Sequence, residues 1–266
     1  MSMTGWMCAA SVALLAWAAQ LSAQEAGVAA TSEMEKNTMQ KQHVRVTCSW
    51  DDGNKNDVRL TQILRQHRAK GTFFIYPENY VFYTKDPEAA LKKDPFLITP
   101  LAAFIATYRG FEVGAHGFQH PDMRKLKPEE LWFQLTESKR VLEEWFKQPV
   151  KGMAYPNGAY NPEVEAAVKK AGYVYARTVE NSPQVFPAAD PYALRVSLHH
   201  QSPKFWEEFE RVKAVGGVFY FWGHSYELKT DDDWKGFEEK IARLSADPAV
   251  EWVTHLELFE AAPPAR

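Results

Sequence analysis

From Val44 onward, short apolar runs alternate with segments in which apolar residues recur every three or four positions. The short runs are rich in β-branched and aromatic residues, as expected of buried strands, and the longer segments are typical of amphipathic helices. We predict strands over residues 44–50, 71–76, 111–115, 150–155, 173–179, 194–198, 217–222 and 251–254.

Helices are predicted between most of these strands. The longest has an apolar stripe that runs from Leu131 to Phe146. Others follow Asp57, Thr99-Pro100, Asn161-Pro162 and Ser202-Pro203, or span residues 234–244. Aspartate before a helix is a common cap, and proline suits the first helical position.

The succession of β-then-α units predicts an α/β protein with a parallel sheet, either a barrel or an open doubly wound sheet. Polar residues follow several strands, at Asp51-Asp52, His116, Pro156-Asn157-Gly158 and His224. In a barrel these strand ends converge on one rim, whereas an open sheet would spread them along a crevice. Convergence favours the barrel.

Composition indicates one large folded domain. The 266 residues are 45% hydrophobic and 14% aromatic, which supports a sizeable core. The formal charge of −3 is close to neutral, so we expect no nucleic-acid partner.

The first 23 residues carry no charged side chain, and residues 7–19 are almost wholly apolar. This run is too short for a comfortable membrane span, and small residues at Ser22-Ala23 suit a signal peptidase. We predict a signal peptide over 1–23, with an uncleaved anchor as the alternative, a flexible lead-in over 24–42 and a catalytic domain over 43–266. The protein would then be secreted or periplasmic, with no stable membrane span after cleavage.

Two aspartates and two histidines are the strongest candidates for chemistry. His116 and His120 lie four residues apart, a spacing that lets both rings face one metal ion. With a carboxylate from Asp51-Asp52 they form a set that leaves coordination positions open, as a catalytic divalent metal requires. Alone, the aspartates could equally be a helix cap at the turn of Gly53.

His224 follows an apolar strand and could act as a general acid, because the ordinary pKa of histidine, about 6.5, lies near neutral pH. A core histidine bonded to a backbone carbonyl is the alternative. His199 and His200 adjoin another strand end. Aromatic residues near the rim, among them Tyr155 and Trp222, could stack on sugar rings or belong to the core.

Four motifs in this order resemble the polysaccharide deacetylases of the NodB-homology type, carbohydrate esterase family four. The likeness covers roughly residues 44–259. The motifs are Trp50-Asp51-Asp52-Gly53, His116 to His120, Ala154-Tyr155-Pro156-Asn157-Gly158 and Phe221-Trp222-Gly223-His224.

The resemblance implies a distorted parallel (β/α) barrel of about seven strands and hydrolysis of N-acetyl groups on amino sugars. Asp52, His116 and His120 would bind one divalent metal, zinc first, with iron, cobalt or nickel as alternatives. Asp51 would be the base and His224 the acid. We expect substrate contacts from Tyr155, Pro156, Asn157, His199, His200 and Trp222. The partner would be an acetylated glycan or a small acetylated sugar.

Some positions depart from the family pattern. Ala154 stands where an arginine commonly holds the base, and Gly117 replaces a hydroxyl residue beside the first metal histidine. We predict that Arg177, on the next strand, supplies the missing charge to Asp51; a surface arginine that pairs with Glu180 or faces solvent is the alternative.

Two other functions suit the same residues. One is a hydrolase of this fold that acts on a small amide or an O-acetyl ester. The other is an inactive barrel that binds glycans through its aromatic surface, although the complete ligand set argues against it.

Overall fold

The computed structural model describes residues 43–182 and 186–260; the predicted signal peptide and lead-in lie outside these ranges. Nine strands pair in parallel within one sheet. They are β1 (Val44–Asp52), β2 (Thr72–Ile75), β3 (Glu112–Ala115), β4 (Gly152–Ala154), β5 (Tyr175–Asn181), β6 (Leu194–Val196), β7 (Leu198–His199), β8 (Gly217–Gly223) and β9 (Val250–Trp252).

The strand order is β6-β5-β4-β3-β2-β1-β8-β7, and β9 pairs with the first residues of β1. Only Ser197 separates β6 from β7, so one short segment pairs with β5 at its start and with β8 at its end. This segment nearly closes the sheet. If this segment is counted as one strand, the barrel has seven strands. The predicted distorted (β/α) barrel is confirmed.

The described residues contain the predicted helices and three that were not predicted. The helices are α1 (Asp57–Gln66), α2 (Glu78–Lys85), α3 (Pro87–Lys93), α4 (Leu101–Thr107), α5 (Pro128–Phe146), α6 (Pro162–Lys170), α7 (Phe205–Val215), α8 (Asp231–Ala246) and α9 (His255–Glu260). Helices α2, α3 and α9 are short, and α2 and α3 each bury a single residue, so they leave no periodic apolar pattern. In the ranges described, no helix is long and apolar enough to cross a bilayer.

Side-chain alternation along β1 divides the core into two layers. Val46, Cys48 and Trp50 pack against the helices. The side chain of Ser49 points the other way and hydrogen-bonds the Tyr220 hydroxyl at 2.9 Å inside the barrel. The sequence of β1 alternates accordingly: its apolar residues face the helices, and the small or polar residues Thr47, Ser49 and Asp51 lie on the other, equally buried face.

Aromatic rings fill the barrel interior, and helix α9 covers its amino-terminal end. The Tyr175 ring lies inward, in space that only glycine leaves at position 152, where a Cβ would lie 1.9 Å from Tyr175 Cζ. His255 of α9 packs edge-on against Tyr220, and the backbone N–H of Leu256 bonds the Glu112 carboxylate at 3.0 Å. The opposite end of the barrel, where the strands finish, carries the polar residues that were predicted to form the site.

Candidate metal and catalytic centre

The carboxyl ends of three strands bring the predicted residues together. Asp51 and Asp52 are the last residues of β1, His116 directly follows β3, and His224 directly follows β8. Their side chains contact one another and form one cluster, as expected for the rim of a parallel barrel.

Asp52, His116 and His120 form the candidate metal site. Asp52 Oδ1 lies 3.7 Å from His116 Nε2 and 3.6 Å from His120 Nε2, and one ligand atom from each of the three residues lies within 4.8 Å of the others. Asp52 and His120 both adopt left-handed backbone conformations, with φ of 79° and 60°. Such conformations are strained outside glycine and concentrate at functional sites.

The donor set fits a divalent cation. Asp52 Oδ1 is buried, and within the described ranges it has no hydrogen-bond partner, an expensive state for a carboxylate oxygen unless a cation neutralises it. His116 Nδ1 lies 2.8 Å from the Ala154 carbonyl oxygen. A carbonyl only accepts, so the proton sits on Nδ1 and the Nε2 lone pair faces Asp52, the orientation that metal-binding histidines adopt.

Gln134, from helix α5, holds the loop between the two histidines. Its side-chain oxygen accepts the backbone N–H groups of Phe118 and Gln119, both at 2.8 Å, and its side-chain nitrogen donates to the Gln119 side chain at 2.7 Å. Gln134 is buried. The loop therefore has a fixing group, although Gly117 offers no hydroxyl.

Asp51 is paired with Arg177 inside the barrel. Arg177 Nη2 contacts both oxygens of the Asp51 carboxylate, and the exposed fractions of the two side chains are 0% and 2%. The guanidinium lies between the rings of Phe74 and Trp222, 5.2 and 4.9 Å from their centroids. Cation–π contacts of this kind stabilise a desolvated guanidinium.

This ion pair controls the protonation of Asp51. Burial acts to raise the pKa of Asp51, but the Arg177 guanidinium, helped by His224, holds it below its ordinary value. Asp51 is therefore an ionised carboxylate, able to accept a proton. The alternative of a surface Arg177 is excluded, because its side chain is fully buried against Asp51. Glu180 pairs instead with Arg195, at 3.1 Å.

Glu227 links three histidines beside the site. Its carboxylate lies 2.9 Å from His199 Nε2, 3.0 Å from His200 Nε2 and 3.2 Å from His224 Nδ1, and it accepts the His224 backbone N–H at 2.9 Å. Burial acts to raise the pKa of Glu227, but the histidine contacts hold it well below its ordinary value. Glu227 is therefore the fixed anion of this group.

His224 turns its other nitrogen toward the candidate metal site, where Nε2 lies 3.8 Å from Asp52 Oδ2. Burial acts to lower the pKa of His224, but the hydrogen bond to Glu227 and the carboxylates of Asp51 and Asp52 raise it above its ordinary value. The protonated ring is thus favoured, as a general acid requires. His116 differs: burial lowers its pKa despite Asp51 and Asp52, so its ring is neutral and available to a metal.

Some of the residues predicted to contact the substrate are buried, and the others are accessible to solvent. Tyr155 is fully buried, its hydroxyl donates to the Tyr192 carbonyl at 3.0 Å, and its backbone N–H to the Arg177 carbonyl at 3.0 Å. The Tyr155 side chain is therefore part of the core, and the substrate contact expected of this residue stays a prediction. Pro156 and His200 are also buried, and His200 contributes by binding Glu227.

Three of the predicted contacts remain accessible. Asn157 is exposed, and His199 and Trp222 are partly exposed. Trp222 lies 5.5 Å from the His224 ring and 5.2 Å from the His199 ring, centroid to centroid.

Two residues of the site were missed by sequence reasoning. Gln134 gives no local signal, since it is one polar position in a long amphipathic helix. Glu227 was detectable: a carboxylate three residues after a histidine, in a turn, can reach the ring of that histidine.

Comparisons with known proteins identify the family of this chain. A family model described as "Polysaccharide deacetylase" matches residues 36–176, more than half of the chain. The Bacillus subtilis protein named "Putative polysaccharide deacetylase YxkH" is 23% identical over 136 residues, which are 51% of this chain and 44% of that protein. "Uncharacterized protein YlxY" of the same organism is 28% identical over 131 residues, 48% of this chain and 35% of that protein. The chain thus spans less than half the length of these curated relatives.

Solved structures share the fold. A family 4 carbohydrate esterase from Bacillus anthracis is 15% identical with a TM-score of 0.53, and the match covers 84% of this chain and 85% of that one. A mutant of a pseudoenzyme of the same esterase family, with restored activity, is 18% identical with a TM-score of 0.52, over 82% of this chain and 68% of that one.

At such identities the structures show the fold alone, and the pseudoenzyme shows that the fold does not guarantee activity. Membership rests on the family-model match, and the barrel agrees with it. This chain belongs to the polysaccharide deacetylase family.

Proposed function

We propose that the protein is a metal-dependent hydrolase that removes N-acetyl groups from amino sugars of a glycan. The observation that carries the proposal is the meeting, at one rim, of a charge-paired carboxylate, a three-residue ligand set and a histidine anchored by a glutamate. These supply the base, the electrophilic centre and the acid that amide hydrolysis requires.

Asp52, His116 and His120 would hold the metal. Two neutral imidazoles and one carboxylate suit zinc first, and iron(II), cobalt or nickel are alternatives. A divalent ion bound there supplies Lewis-acid polarisation of the acetyl carbonyl and of the attacking water.

The remaining steps belong to protein side chains. Asp51, kept ionised and oriented by Arg177, accepts a proton as the water oxygen bonds to the carbonyl carbon. His224 Nε2 then gives its proton to the sugar nitrogen as the C–N bond breaks. Acetate and a free amine leave. Glu227 holds the His224 ring through Nδ1 and directs Nε2 toward the reaction.

The substrate we propose is an acetylated glycan or a small acetylated sugar, reached from the open rim. Trp222, His199 and Asn157 are accessible there and could contact sugar rings or hydroxyl groups. From the predicted signal peptide we also propose that the protein acts in the periplasm or outside the cell.

The test separates metal binding from catalysis. Metal content is measured by elemental analysis, and turnover by acetate release from N-acetylated amino-sugar oligomers. We expect Asp51→Asn to retain metal and to lose roughly 10²–10⁴-fold in kcat, because an amide cannot accept the proton of water. We expect Asp52→Asn to lose metal. Asp231→Asn, in a solvent-exposed ion pair with Arg59, is the matched control.

Near-normal turnover of Asp51→Asn would refute the assigned base. Parallel assays with O-acetylated sugars and small N-acetyl amides test the rival hydrolase activities. Glycan binding without acetate release from any of these substrates would favour the inactive barrel.

A further inference from the structure

The side chain of Tyr226 contacts two members of the candidate site at once. Its hydroxyl donates to Asp52 Oδ2 at 3.2 Å. Its ring stacks on the His224 ring, with 4.8 Å between centroids and an interplanar angle of 24°. None of the motifs described above includes this residue.

The Tyr226 hydroxyl makes the two carboxylate oxygens of Asp52 different, because it hydrogen-bonds only one of them. Oδ1 faces both candidate metal histidines, at 3.6 and 3.7 Å, and has no hydrogen-bond partner in the described ranges. Oδ2 accepts the Tyr226 hydroxyl and lies 3.8 Å from His224 Nε2. Asp52 thus presents one free oxygen to a metal, and its other oxygen accepts a hydrogen bond.

The turn that carries Tyr226 is fixed on both sides. The Asn56 side chain donates to the Ser225 carbonyl at 3.4 Å, and Glu227 accepts the His224 backbone N–H at 2.9 Å. The hydroxyl is therefore held in place although 41% of the Tyr226 surface is exposed. An exposed tyrosine without such a contact would point freely into solvent.

We propose that Tyr226 is a positioning residue for the metal ligand Asp52. Its hydrogen bond to Oδ2 orients the carboxylate so that Oδ1 alone faces the metal, and its ring keeps the His224 plane next to that carboxylate. Ligating carboxylates are commonly hydrogen-bonded in this way, and loss of such a partner weakens metal binding. The inference rests on the proposed metal site.

The decisive variant is Tyr226→Phe, which removes the hydroxyl and keeps the ring. Zinc affinity, measured by competition with a chromogenic chelator, should fall roughly 10- to 100-fold. Tyr76→Phe is the matched control: the Tyr76 ring lies 5.5 Å from the His120 ring, but its hydroxyl makes no hydrogen bond to any residue in the described ranges. Thermal unfolding of the metal-free proteins verifies that both variants fold.

The outcomes separate the two proposals. Zinc affinity of Tyr226→Phe within twofold of wild type, while wild type binds zinc, would overturn this inference and leave the proposed function intact. A wild-type protein that binds no zinc, iron, cobalt or nickel would overturn both.

Steady-state kinetics at saturating metal distinguish positioning from sugar stacking. Under the proposal, Tyr226→Phe recovers kcat when excess metal fills the site, with KM unchanged. If Tyr226→Phe keeps full zinc affinity and only Tyr226→Ala raises KM, the ring acts on the sugar and the positioning role is wrong.

Discussion

Replacing Arg177 by methionine should destabilise the protein strongly. The substitution removes the guanidinium and leaves a long apolar side chain between Phe74 and Trp222. Asp51 would then be a buried carboxylate without its guanidinium partner, and breaking a buried pair in this way costs about 3–5 kcal/mol. Since domains are stable by only about 5–15 kcal/mol, the free energy of unfolding should fall by a large fraction.

The magnitude depends on burial, and the chain offers an internal comparison. The Arg177 and Asp51 side chains are 0% and 2% exposed, so solvent cannot replace the lost charge. Arg195 and Glu180 form an ion pair in which both side chains are 55% exposed. Arg195→Met should therefore change the free energy of unfolding by less than about 1 kcal/mol.

A second substitution should reverse most of the loss. In the double variant Asp51→Asn with Arg177→Met, both members of the pair are neutral, and neutral replacements of a buried pair are often tolerated. Destabilisation of the single variant that disappears in the double variant would assign the cost to the stranded carboxylate rather than to altered packing.

The destabilisation caused by Arg177→Met should depend on pH in a defined direction. In the wild type the pKa of Asp51 is lowered, so its contribution is present above the unfolded-state pKa and is lost as pH falls through the folded-state value. Without Arg177, burial raises that pKa above the unfolded-state value. The penalty is then largest at neutral pH and shrinks on acidification, so the gap between variant and wild type should narrow from pH 7 to pH 5.

Urea unfolding, followed by tryptophan fluorescence and far-UV circular dichroism, measures these differences. A chelator keeps metal binding from adding to the free energy of unfolding. A loss below about 1 kcal/mol for Arg177→Met at pH 7 would refute the reasoning. So would a double variant no more stable than Arg177→Met.

Two further predictions follow from the site. His116→Ala and His120→Ala should each lose the metal by elemental analysis, and wild-type affinity should fall at acidic pH because protons compete for the His116 imidazole, whose pKa burial holds below its ordinary value; metal retained at full stoichiometry in both variants would contradict the ligand assignment. Glu227→Gln should lower kcat by up to the roughly 10²–10⁴-fold that a general acid supplies, with metal content unchanged, because an amide holds the His224 ring less firmly; normal kcat would show that His224 needs no anchor.

The fold was predictable because its strands and long helices bury continuous or periodic apolar faces. Strand β1 and helix α5 show these patterns directly in the sequence. The role of residues 194–199 was not predictable: one predicted strand became two, because its halves pair with different neighbours to bridge β5 and β8. Such a register change depends on where the barrel closes, which no local pattern records.

The candidate site was predictable to the extent that its residues are neighbours in sequence. The spacing of His116 and His120 was informative, since a short loop keeps them together. The group that fixes the loop is Gln134, which arrives from α5 and depends on how that helix packs. Long-range supports of this kind are determined by tertiary packing, so sequence spacing cannot identify them.

Arg177 shows how a residue on a neighbouring strand can take the place of a missing side chain. Position 154, where the family commonly has arginine, holds alanine, and in the parallel pairing of β4 with β5 its partner is Arg177. Paired residues on adjacent strands lie about 5 Å apart and point to the same side of the sheet. Alanine leaves the space beside it empty, and an arginine one strand away is long enough to fill that space and reach Asp51. The Arg177–Asp51 contact shows that it does. Arg177 thus gives Asp51 the charge that the resemblance led us to expect from position 154, and a comparison of motifs alone would count that charge as lost.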